Sequence, residues 1–112
     1  MTAANYNLVI DQGADFAVQL TVSEEGAVKN LTGYSARAQL RSTKASTTIS
    51  ATFTCTVTNP SQGILKMELS NAVTTTLSDG LYFYDLELYS SDDNFVTRLL
   101  EGRATVTPEV TR

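Results

Sequence analysis

Short runs in which apolar and polar residues alternate, separated by clusters of Gly, Asn, Asp, Ser and Pro, dominate this chain of 112 residues. Period-2 runs of this kind predict strands that bury one face and leave the other in water. Phe16, Val18, Leu20 and Val22 alternate with Ala17, Gln19 and Thr21. Tyr34, Ala36, Ala38 and Leu40 alternate with Ser35, Arg37, Gln39 and Arg41, and Phe53, Cys55 and Val57 sit among Thr52, Thr54, Thr56 and Thr58. Ile64 to Leu69 predicts a further strand, opened by the turn Asn59-Pro60-Ser61-Gln62-Gly63, where Pro fixes φ and Gly permits φ > 0. Leu81 to Tyr89 has the strongest strand pattern, with Tyr82, Tyr84, Leu86 and Leu88 on one face and Phe83, Asp85, Glu87 and Tyr89 on the other. Aromatic residues on both faces predict a central strand. Beyond the polar stretch Ser90 to Asn94, Phe95 to Leu100 predicts its hairpin partner, and Gly102 a bulge or bend before Ala104 to Pro108.

One stretch, Ser70 to Leu77, breaks the pattern. Ser70 is a candidate helix cap, and Val73 and Leu77 fall four apart on one face, while Thr74, Thr75 and Thr76 are poor helix formers; one or two helical turns are expected there. The turn candidates are Asp11 to Asp15 around Gly13, Asp79-Gly80, and the bend Leu31-Thr32-Gly33-Tyr34, which is expected to deliver Tyr34 into the core. There is no linker and no repeat, so residues 1–112 are expected to form one domain. Seven or eight short strands at spacings of about ten residues predict an all-β, antiparallel β-sandwich of the immunoglobulin-like kind, with one short helical turn.

Composition adds to this picture mainly by what it excludes. An apolar fraction of 42% with 18% charged residues is that of a chain that folds. A domain of this size is expected to bury roughly two thirds of the surface its unfolded form exposes. The net charge of −4 argues against nucleic acid, whose affinity for proteins comes mostly from Lys and Arg neutralising phosphates. Arg37 and Arg41, on one strand face, make a small patch that is expected to be solvated. No stretch approaches the length of a membrane span, and the start of the chain has no basic region followed by an apolar one, so residence on the cytoplasmic side of the producing cell is expected. Asn30-Leu31-Thr32 matches a glycosylation sequon without a secretion signal to give it meaning.

Candidate chemistry is sparse. The chain has no histidine and one cysteine, so neither a Ser-His-Asp nor a Cys-His arrangement can be built, and no disulfide forms within the chain. Cys55 is expected to be buried and inert, since its threonine neighbours supply no charge to stabilise a thiolate. Paired acids occur at Asp11 and Asp15, Glu24 and Glu25, Asp85 and Glu87, and Asp92 and Asp93. Solvated turns and an interface pair explain them better than a catalytic pair. Asp92, Asp93 and Asn94 are an alternative calcium loop, without the spacing of a known one. No catalytic residue, cofactor or metal site is expected, and the chain is expected not to be an enzyme.

Several phrases, taken in order, resemble small virion proteins of tailed bacteriophages and the N-terminal immunoglobulin-like domain of phage baseplate upper proteins. They are Tyr6-Asn7-Leu8-Val9-Ile10-Asp11-Gln12-Gly13-Ala14-Asp15-Phe16, Asn30-Leu31-Thr32-Gly33-Tyr34-Ser35-Ala36-Arg37, Gly80-Leu81-Tyr82-Phe83-Tyr84-Asp85-Leu86-Glu87-Leu88, Arg98-Leu99-Leu100-Glu101-Gly102, and Val106-Thr107-Pro108-Glu109-Val110. The resemblance implies a non-enzymatic structural component of a tailed-phage virion, whether an accessory tail, neck or baseplate protein or a head decoration protein. Its partners would be other virion proteins and copies of itself, with no nucleic acid, membrane or small-molecule substrate, and it would be located in the virion after assembly in the host cytoplasm. In baseplate upper proteins a longer region follows the similar domain, whereas this sequence stops at Arg112, which shifts the expectation toward a stand-alone accessory role. The alternative is a carbohydrate-binding or adhesin-like module with Tyr82, Tyr84 and Tyr89 as a sugar platform. The expected subunit interface is Tyr6, Leu8, Ile10, Arg37 and Arg41, with residues 1–10 ordered by a neighbouring subunit.

Overall fold

Alternation turns into two-faced strands most clearly along Gly80–Ser90 and Tyr34–Arg41. Tyr82, Tyr84, Leu86 and Leu88 of the first, and Ala38 and Leu40 of the second, are buried, while their odd-numbered neighbours look outward. The computed structural model describes residues 3–24, 26–90 and 94–111. The strands among them are β1 (Ala4–Asn5), β2 (Leu8–Asp11), β3 (Phe16–Thr21), β4 (Ser23–Glu24), β5 (Ala27–Val28), β6 (Tyr34–Arg41), β7 (Ala51–Thr52), β8 (Thr54–Asn59), β9 (Ile64–Leu69), β10 (Gly80–Ser90) and β11 (Val96–Thr107). A single α-helical turn, α1 (Asn71–Thr74), and a 3-10 turn at Pro60–Gln62 complete the elements. With 58% of the described residues in strands, the chain is mostly β.

Two sheets pack face to face. The larger runs β1-β11-β10-β6-β7, with β2 also pairing β11; the smaller runs β3-β9-β8. β4 and β5 form a separate small hairpin. Between the sheets lies one core, to which β2 brings Leu8 and Ile10, β9 brings Leu65, Met67 and Leu69, and β11 brings Ala104 and Val106. β10 is central, flanked by β11 and β6, as its aromatic residues on both faces predicted.

Several expectations need correction. The run around Phe53 is two strands, because the chain changes sheets there. Ala51 and Thr52 pair with β6, Phe53 donates its N–H to Ala38 O (3.0 Å), and Thr54–Asn59 pairs with β9 in the other sheet. Gly102 is not the bulge. The register slips at Leu99, where Leu86 faces Leu100 and Glu87 faces Arg98, so β11 runs unbroken to Thr107. Leu31, fully buried, plugs the core at the bend that was expected to deliver Tyr34. Tyr34 is half-buried, with its ring edge-on to Phe95 (5.2 Å between centroids) and Lys29 Nζ 5.4 Å away. Ser70 occupies the cap position of α1 without a side-chain cap. The carboxylate of Asp15 does that work, accepting from Asn71 N (2.7 Å) and Asn71 Nδ2 (2.9 Å). A cap brought from a different turn ties the β2–β3 connection to the β9–β10 connection.

The N-terminal segment shows the largest departure. Instead of awaiting another subunit, residues 4–11 lie parallel to β11 in one constant register, with Ala4 opposite Leu100 and Leu8 opposite Ala104. Leu8 and Ile10 are buried in this chain's own core, so their side chains cannot form the expected interface. The reason is that the edge of β11, otherwise unpaired, supplies the backbone partners that were assigned to a neighbour. Residues 1–2 lie outside the described part.

Cys55 is half-buried and points at the core, less enclosed than expected. Burial pushes its thiol up to about 11, so at pH 8 roughly one molecule in a thousand carries the reactive thiolate. Native protein is expected to react with a thiol reagent far more slowly than unfolded protein at that pH; equal rates would show that the placement is wrong.

Candidate functional site

The outer face of the larger sheet gathers the charge that the sequence scatters. β6 brings Arg37 and Arg41, the following loop Lys44, β10 Phe83, Asp85, Glu87 and Tyr89, and β11 Arg98, Glu101 and Arg103. Cross-strand register makes them neighbours: Asp85 stands between Gln39 and Glu101, Glu87 between Arg37 and Arg98, and Phe83 between Arg41 and Arg103. All of them but Tyr89 and Arg103 line a shallow concavity of about 350 Å³.

Five of the seven Lys and Arg among the described residues stand here (Arg37, Arg41, Lys44, Arg98, Arg103) with three of the nine described acids (Asp85, Glu87, Glu101). The face therefore carries a formal charge of 5 − 3 = +2, and the other described residues 2 − 6 = −4. Within the face, the charges are cross-linked. Arg37 Nε donates to Glu87 Oε1 at 2.9 Å and its guanidinium lies 4.5 Å from the Tyr89 ring centre. Arg98 reaches Asp85 Oδ2 and Glu101 Oε1, both at 3.4 Å, and Lys44 lies 3.9 Å from Glu101 and 5.9 Å from the Phe83 ring centre. Arg41 is held by donating to Ser46 O (2.6 Å) and to Gln39 Oε1 (2.8 Å). Exposed pairs of this kind contribute little to folding, about 0–1 kcal/mol each, but they pre-order long side chains that a partner would otherwise have to immobilise.

Asp85 is the electrostatic exception. Burial raises its pKa, Arg98 opposes that, and Glu87 and Glu101 add to it. A carboxyl group raised in the folded state stabilises the fold below its unfolded pKa, and that contribution is lost as pH climbs through the folded value. Asp85→Asn is therefore expected to be more stable than the native protein at pH 7, with the difference vanishing below about pH 4. Thermal melts at the two pH values check this; a variant less stable at pH 7 would show that the Arg98 contact outweighs burial.

Of the expected interface residues, Arg37 and Arg41 belong to this face, Tyr6 is exposed at the sheet edge, and Leu8 and Ile10 are internal. The imagined sugar platform is not assembled: Tyr82 and Tyr84 are buried, with their hydroxyls donating to Ser78 O (2.8 Å) and Tyr6 O (2.5 Å), and Tyr89 faces the opposite way. Asp92, Asp93 and Glu25 lie outside the described residues. Among the described residues, no group of three or more acids or cysteines is placed to hold a metal ion. The sequence reading missed Arg98, Arg103, Lys44 and Phe83 as partners of Arg37 and Arg41. Outward parity on the strands β10 and β11 was the available signal, but it carries no register.

The fold and this face define a mostly-β, two-sheet protein with a positive, pre-ordered outer surface on an acidic body. No protein-family model matches the chain, and no curated protein is significantly similar to it.

Proposed function

We infer that the chain is a non-enzymatic structural subunit of a tailed-phage virion, with an immunoglobulin-like topology, that works by docking the outer face of its larger sheet onto other virion proteins. The observation that carries the docking role is the concentration of five cations, three anions, Phe83 and Tyr89 on one face. Charge lattices of this type set orientation and exclude wrong partners more than they add affinity.

Two features support the immunoglobulin-like part of the reading. β3-β9-β8 against β11-β10-β6, with β2 parallel to β11, fits the B-E-D and G-F-C arrangement of such domains. Tyr82, near the start of β10, donates its hydroxyl to a backbone carbonyl four residues upstream, which fits the tyrosine corner at the same connection. At the centre, where antibody domains carry a disulfide, Phe53 stands between Phe16 (6.1 Å) and Tyr84 (6.2 Å). The virion assignment itself draws on the resemblance of the ordered phrases.

The test is to purify the particles of the phage that encodes this chain and quantify it by mass spectrometry, alongside a double variant, Arg37→Glu with Arg98→Glu. The expected result is a stoichiometric native component and a folded variant that fails to incorporate. Absence of the native chain from particles would overturn the virion reading, and normal incorporation of the variant would overturn the docking face.

A further inference from the structure

The two long sides of the sandwich are finished differently. On one side the chain crosses between the sheets, and backbone hydrogen bonds from Ser50 N to Leu40 O (2.8 Å) and Phe53 N to Ala38 O (3.0 Å) stitch the crossing to β6. The edge strand there, β8, also carries a register shift between Val57 and Asn59 and runs into Pro60, both features that discourage pairing. On the other side stands β3. Among the described residues it pairs only with β9, and its sequence Phe-Ala-Val-Gln-Leu-Thr has no charge, no proline and no bulge.

Its phase follows from one bond. Val22 N donates to Gly63 O at 2.7 Å, continuing the β3·β9 ladder. Hydrogen-bonded pairs alternate in an antiparallel ladder, so even-numbered residues of β3 bond to β9, and Ala17, Gln19 and Thr21 turn their N–H and C=O groups outward. Beside this edge the gap between the sheets is open, an apolar groove of about 320 Å³ whose lining includes Leu20, Val22, Leu86, Leu99 and Leu100.

We propose that β3 is a self-association edge, at which a second copy of this chain adds its own β3 antiparallel about a two-fold axis through Gln19. The strand is self-complementary in that register. Gln19 faces Gln19 of the second copy as a doubly hydrogen-bonded pair, and Ala17 faces Thr21, so all three outward-turned residues find backbone partners. On the inner side Val18 faces Leu20 and Phe16 faces Val22, which sets an aromatic ring of each copy beside the other's groove. No charge from either strand meets a like charge. The result is one continuous six-stranded sheet built from two three-stranded ones. This contact uses neither the charged face nor the virion reading.

The experiment is sedimentation equilibrium of the full chain over a range of concentrations, with Gln19→Lys, Gln19→Glu and an equimolar mixture of the two. Gln19 is exposed, and each variant is expected to keep the native β circular dichroism. The native chain is expected to form a dimer. Like charges across the axis are expected to raise the dissociation constant of each variant about tenfold or more, and the mixture is expected to recover the dimer because Lys then faces Glu. In a Cys55→Ser background, Gln19→Cys is expected to oxidise to a disulfide-linked dimer, since residues in such a pair have Cα atoms about 5.5 Å apart. A native chain that stays monomeric, or variants that associate as tightly as the native chain, would overturn the proposal.

Discussion

Phe53→Ala is expected to destabilise the protein by about 3–5 kcal/mol. Phe53 is buried at the point where the chain leaves one sheet for the other, and its ring is flanked by those of Phe16 at 6.1 Å and Tyr84 at 6.2 Å. Truncation removes the transfer free energy of the ring and leaves a cavity that cannot collapse, because both neighbouring strands are pinned by their ladders. Phe53→Leu keeps most of the volume and is expected to lose about half as much or less. Urea unfolding followed by tyrosine fluorescence measures both. A loss below about 1 kcal/mol for Phe53→Ala would mean that Phe53 does not hold the two sheets together.

Gly102→Val is expected to cost about 2–4 kcal/mol and to release the first strands from the sheet. A Cβ on Gly102 would run into the carbonyl oxygen of Tyr6, with the Tyr6 carbonyl carbon at 2.9 Å and Asn7 Oδ1 at 3.1 Å. That is where the parallel pairing of the N-terminal segment with β11 is interrupted between β1 and β2 and replaced by side-chain bonds. Asn7 Oδ1 accepts from Arg103 N (3.1 Å), and the Tyr84 hydroxyl donates to Tyr6 O (2.5 Å). Hydrogen exchange is the direct readout: the amide of Tyr6, which donates to Glu101 O at 3.0 Å, is expected to lose protection while amides of β9 keep theirs. Retained protection at Tyr6 would place the strain elsewhere.

Both experiments probe places where local pattern and global structure part. Period-2 alternation was sufficient to place β6 and β9 residue for residue, to mark β10 as central, and to sort the residues of β6 and β10 onto two faces, because the side chains of a strand point alternately to opposite sides whatever it pairs with. Composition likewise ruled out histidine chemistry and internal disulfides without any coordinates.

Alternation is silent on partners, and what depends on partners came only from the assembled sheets. Whether Phe53 continues a strand or changes sheets, and whether Leu8 and Ile10 meet another subunit or their own core, turned on which backbone edges remained free after the rest had paired. Gly102 reads as a bulge in isolation, but a side chain there would collide with the backbone of Tyr6, in the link between β1 and β2 that runs beside β11. The charged face has the same origin. The sequence shows Arg37 and Arg41 as a weak pair, and the register of β10 against β6 and β11, set by hydrogen bonds between residues up to about sixty positions apart, brings Asp85, Glu87, Arg98, Glu101 and Arg103 beside them.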